Sequence, residues 1–135
     1  MKKLLLIFIG AAFLFGCAKK EESVTVYTHR HYEADKTIYK SFEEQTGIKV
    51  NIVTGSADEL IKRLEDEGEL SPADMLISVD AGRLQRAKYK NLLHSVESEV
   101  LTSSIPAHLR DTDNSWFGLT RRARVIVYAP DRVSP

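Results

Sequence analysis

The feature that most constrains this chain is a change of hydrophobic period that recurs along it. Val24-Thr25-Val26-Tyr27-Thr28 is rich in β-branched and aromatic residues and predicts a strand. From Asp35 to Thr46, Ile38, Phe42 and Thr46 recur at four-residue spacing with Tyr39 alongside, which predicts a helix. Gly47 stands where a left-handed helix end is expected. Ile48-Lys49-Val50-Asn51-Ile52-Val53 then alternates cleanly as a second strand. Ser56 and Glu59 have capping-box spacing, Leu60, Ile61 and Leu64 supply a buried stripe, and Gly68 ends that helix. After the Ser71-Pro72 turn, Ala73 to Val79 predicts a third strand, buried on both faces over Met75 to Ile77. Asp80 can cap a further helix bearing Leu84, Ala87 and Tyr89. Leu92 to Val96 fits either period. Strand, helix, strand, helix, strand, helix predicts an α/β domain with a mostly parallel sheet and helices on both faces.

The front of the chain is excluded from that fold. Met1, Lys2 and Lys3 form a positive head, and Leu4 to Gly16 carries no charge. The run is shorter than the roughly 20 residues a membrane-spanning helix needs, and it fits a signal peptide over residues 1–16. It ends in Leu14-Phe15-Gly16-Cys17, which resembles the bacterial lipoprotein cleavage box. Cys17 is the only cysteine, so no intrachain disulfide forms, and its place suits a lipid anchor; the other reading is an ordinary signal peptide with an incidental cysteine. Residues 17–23 then read as a polar tether, in a protein that is periplasmic or at the cell surface and held to the membrane by lipid. The 19 basic and 19 acidic side chains cancel, which excludes the broad basic footprint of a nucleic-acid binder.

From Trp116 the character changes. Val125-Ile126-Val127-Tyr128 is strongly strand-like but has no following helix to pack it. We expect residues 24–115 to form a first lobe and residues 116–135 to cross toward a second lobe absent from this sequence. The other reading makes Val125 to Tyr128 the edge of the first sheet.

Chemistry concentrates at the carboxyl end of the first strand, in Tyr27-Thr28-His29-Arg30-His31-Tyr32. Ligands bind at that edge in open parallel sheets. His31 and Tyr32 are adjacent, so they can share one ion only if the backbone turns there. A phenol ordinarily loses its proton near pH 10. A hard cation favours the phenolate, and a nearby arginine such as Arg30 helps hold its charge. On the residues alone these groups are either a ligand cluster or ordinary surface side chains. Ser56 and Asp80, after the second and third strands, are either plain helix caps or cleft lining. The Arg121, Arg122 and Arg124 set either supplies one positive side chain to that cleft or is a solvated strand entry; Arg122 and Arg124 share one strand face, and Arg121 takes the other. No Ser-His-acid set and no glycine-rich phosphate loop stands out, so an enzyme is not expected.

Several long stretches carry a resemblance. They are Tyr27 to Tyr32, Phe42 to Val50, Ser71 to Asp80, Ile105 to Arg110 and Trp116 to Tyr128. Together they resemble the ferric-iron-binding proteins of bacterial ABC importers over nearly the whole mature chain. The resemblance implies the first lobe of a type 2 periplasmic-binding-protein fold. It also implies iron in an interlobe cleft held largely by tyrosine phenolates, with or without a synergistic anion. His31 and Tyr32 match the first-lobe ligand pair, and Arg30 matches a supporting neighbour. The implied partner is an ABC permease, served by a monomeric receptor. The family's adjacent tyrosine pair is absent here, so the chain is expected to hold half a site. Alternatives are a receptor for an organic anion or polyamine on the same scaffold, and a stand-alone structural surface lipoprotein.

Overall fold

The computed structural model describes residues 21–123, 125–129 and 131–132. The expected signal segment, Cys17 and Arg124 lie outside the described residues. Three parallel strands, β1 (Ser23–Thr28), β2 (Lys49–Thr54) and β3 (Met75–Ile77), lie in the order β2-β1-β3. Between and after them come α1 (Glu33–Thr46), α2 (Ala57–Glu67), α3 (Ala81–Tyr89) and α4 (Glu99–Ser104). Short 3₁₀ turns span Gly68–Leu70 and Ala107–Leu109. This is the expected α/β class.

The central strand shows why both faces are covered. Successive strand side chains point to opposite faces. Val26 and Thr28 lie on one face, Tyr27 on the other, and all three are buried. Tyr27 packs with Leu60 and Leu64 of α2, and Val53, Leu76 and Leu92 close around it. Its hydroxyl donates to Glu67 at 2.9 Å, and the Arg63 guanidinium lies 4.9 Å from its ring centroid. A fully buried phenol thus keeps a partner for its polar end. Burial and the Glu67 carboxylate push this phenol above its ordinary range. The helix boundaries follow local chemistry. Gly47 and Gly68 end α1 and α2 at positive φ, 72° and 53°, which glycine adopts without steric cost.

Three expectations are corrected. The third strand is shorter than Ala73 to Val79, and Met75 is half exposed rather than buried. Asp74 explains where pairing starts: its carboxylate accepts from the Thr25 amide at 2.7 Å, ahead of the backbone ladder. Met75 lies on an edge strand, and α1 packs against β2 at the opposite edge. Second, α1 turns Asp35, Tyr39 and Glu43 toward the domain, leaving Ile38 63% exposed. The Glu43 carboxylate accepts from the Val50 amide at 2.7 Å, tying this face to β2. Third, Val125 to Tyr128 forms no strand, and Ile126 is 95% exposed. A strand needs a neighbour for its amides and carbonyls, and among the described residues none is placed beside it.

The sequence reading missed α4, which Ser98 caps by accepting from the Leu101 amide at 3.3 Å. It also missed how the segment after it is pinned. Phe117 forms an isolated antiparallel bridge with Arg110, and the Trp116 indole donates to Gln85 of α3 at 3.1 Å. The Gly118 amide donates to the Leu109 carbonyl at 2.7 Å, and a Cβ on Gly118 would sit 2.8 Å from that oxygen. Gly118→Ala is therefore expected to destabilise the chain by about 2 kcal/mol through this backbone clash, read as a lower urea midpoint. No helix among the described residues is long and apolar enough to cross a membrane.

Candidate functional site

The register ends the three strands together: Thr28 pairs with Thr54 on one side and Ile77 on the other. The three following helices therefore start at one sheet edge, capped by Tyr32, Ser56 and Asp80. The Ser56 hydroxyl accepts from the Glu59 amide and the Glu59 carboxylate accepts from the Ser56 amide, a complete capping box. Asp80 accepts from the Arg83 amide at 2.8 Å and pairs with the Arg83 guanidinium at 2.6 Å. Both residues are engaged in starting their own helices. Arg121 and Arg122 are exposed, on a segment without strand structure.

The β1–α1 turn is built differently. Tyr32 caps α1 through its backbone position, with no side-chain hydrogen bond to the helix. Its ring is therefore free for another role, and it is 54% exposed. His31 stacks beside it, with ring centroids 5.6 Å apart and planes 20° from parallel. The two neighbouring rings thus lie side by side, with Tyr32 in an extended backbone conformation (φ −79°, ψ 143°). The Arg30 guanidinium carbon sits 5.2 Å from the Tyr32 ring centroid, a cation–π distance.

Arg30 is itself held. Its Nε and Nη2 donate to the two Asp35 carboxylate oxygens at 3.0 and 2.8 Å, and its amide donates to the Thr28 hydroxyl at 3.0 Å. This fork geometry is the strong form of a charged pair. Asp35 is buried, and the Arg30 hydrogen bonds hold its carboxyl below the usual range against the opposing effect of burial. The same bonds raise the Arg30 guanidinium. Tyr39, one turn along α1, lies against Thr28, and burial followed by the Asp35 charge raises its phenol. Asp35 had been read only as the start of a helix. Its signal was a carboxylate in the first turn, a few residues after an arginine that needs a counterion.

His29 is half-buried, with Nδ1 3.1 Å from the Gly55 carbonyl oxygen, so it ties β1 to the β2–α2 turn. His94 and His108 are exposed. Among the described residues, no three His, Cys, Asp or Glu side chains gather as a metal site. The edge therefore offers an imidazole and a phenol side by side, with an arginine behind them.

Residues 24–135 match the family of bacterial extracellular solute-binding proteins. The chain belongs to that family. Iron uptake protein A1 of Synechocystis is 39% identical over 140 residues, covering 96% of this chain and 39% of that protein. The major ferric iron-binding protein of Neisseria gonorrhoeae is 29% identical over 128 residues, covering 92% of this chain and 38% of its own length. A solved Trichodesmium structure in complex with iron and citrate superposes with a TM-score of 0.79 at 45% identity, over 83% of this chain and 35% of that one. The ferric binding protein of Campylobacter jejuni gives a TM-score of 0.68 at 53% identity, over 70% and 30%. The chain thus spans well under half the length of these relatives. Its α/β architecture is the one those structures share.

Proposed function

We propose that this chain supplies one wall of a ferric-iron site in an extracytoplasmic receptor. The observation that carries the reading is the His31–Tyr32 pair, its rings stacked at the carboxyl edge of the sheet with Arg30 behind the phenol. A ferric ion is hard and highly charged, so it favours oxygen donors and displaces the phenol proton. Tyr32 is the principal ligand and His31 the second. These two are too few to close a coordination shell, so the site needs further donors from elsewhere. The relatives' names, which speak of iron uptake and ferric binding, support iron over an organic anion or a polyamine. The Trichodesmium complex supports a carboxylate anion bound with the metal. Ser56 and Asp80 stand at the neighbouring helix starts on the same edge.

The activity is capture and delivery to an ABC permease, without covalent chemistry on the cargo. Cys17 carries lipid that holds the receptor at the membrane, through the tether of residues 17–23. Titrating the full gene product with ferric citrate tests the reading. We expect uptake of one ferric ion per protein with a visible phenolate-to-iron absorption band. A protein that takes up no ferric ion and develops no band would refute it.

A further inference from the structure

We propose that Asp35 is a positioning residue of this half-site: its carboxylate fixes the Arg30 guanidinium against Tyr32 and pairs its charge. The inference rests on the ferric reading of Tyr32. The geometry is a closed circuit across the β1–α1 turn. The Asp35 side chain grips Arg30 through both oxygens, and the Asp35 amide donates to the Tyr32 carbonyl at 3.0 Å. Arg30 completes the circuit by lying over the Tyr32 ring. Thr28 holds the Arg30 backbone from below, on a side chain that is 1% exposed. The Asp35 carboxylate thus fixes the cation that contacts the Tyr32 ring, while its backbone amide, separately, closes the turn onto the Tyr32 carbonyl.

The pairing has an electronic consequence as well as a geometric one. An unpaired guanidinium this close would draw charge from a phenolate and make it a poorer donor. Paired with Asp35, the guanidinium keeps its hydrogen-bonding shape while most of its field is cancelled. The phenolate then binds iron with its donor strength intact, and the ring is held before the ion arrives. Outer partners of this kind typically control metal affinity through ligand orientation and basicity.

The test compares the full gene product with Asp35→Asn, the charge-free pair Arg30→Gln/Asp35→Asn, and Tyr32→Phe. Two quantities are read: the wavelength of the phenolate-to-iron band and the rate of iron loss to excess EDTA. Circular dichroism reports the fold. Asp35→Asn is expected to move the band to shorter wavelength, because an unpaired Arg30 stabilises the phenolate. It should also weaken ferric binding about 10-fold. The double variant leaves no unpaired charge, so it carries the test if Asp35→Asn does not fold. It should also release iron faster than the parent. If Tyr32→Phe diminishes the band while both Asp35 variants match the parent in wavelength and release rate, the positioning role is overturned and the ligand reading stands. If Tyr32→Phe leaves the band intact, both fall.

Discussion

Tyr32→Phe in the full gene product is expected to weaken ferric binding by more than the roughly 10–100-fold that losing an outer partner of a metal ligand costs. The visible band should fall in intensity at the same time. The substitution removes one oxygen and keeps the ring, so the contacts with His31 and Arg30 are retained. No helix cap is lost, because the Tyr32 side chain makes no capping hydrogen bond. The ring is half exposed, so the fold loses little packing. Stability should therefore match the parent while affinity drops, a separation that equilibrium titration and thermal unfolding measure on the same samples. Equal affinity and an undiminished band would remove Tyr32 from the ligand set.

Leu60→Ala is the largest expected stability effect, a loss of about 3 kcal/mol. Leu60 is 2% exposed and packs directly on the buried Tyr27 ring. Its side chain also lies close over Gly55, where a Cβ would meet Leu60 carbons at 3.2 and 3.3 Å. Truncation therefore opens space on two sides, under β1 and beside the β2–α2 turn. Neither neighbour refills it readily: Tyr27 is tethered through its hydroxyl to Glu67, and Gly55 has no side chain to move. The Gly55 carbonyl is also the partner of His29. Loosening this turn should thus reach the site edge as well as the core. Urea unfolding followed by circular dichroism measures the effect, and a change below about 1 kcal/mol would contradict the packing described here.

The two substitutions separate the roles of the β1 strand and the turn that follows it. Val26, Tyr27 and Thr28 anchor the sheet between its helical layers, and His29 to Tyr32 use that anchor. A site on such a support is held more rigidly than one on a free loop. On the ferric reading proposed above, that support holds His31 and Tyr32 in place before a metal arrives.

Much of this protein is legible without coordinates. The alternation of strand and helix periods determined the α/β class, because those periods reflect which side chains share a face. Gly47 and the Ser56–Glu59 pair marked helix ends through chemistry confined to a few residues. The crowding of His29, Arg30, His31 and Tyr32 after the first strand marked the edge where the candidate site lies. Tertiary structure decided the rest. The spacing of Ile38, Phe42 and Thr46 with Tyr39 alongside marked a helical face, of which the helix turned Tyr39 inward, together with Asp35, and left Ile38 and Phe42 exposed. A helical period says that a face exists, while the partner decides which face is buried. Here the partner includes Arg30, a partly exposed guanidinium that compensates the buried Asp35 carboxylate. Val125 to Tyr128 makes the same point for strands: β propensity becomes a strand only where another backbone completes its hydrogen bonds. His31 and Tyr32 were visible in the sequence as neighbours. That their rings lie together, with Arg30 fixed behind them by Asp35, follows from contacts that only the folded turn brings about.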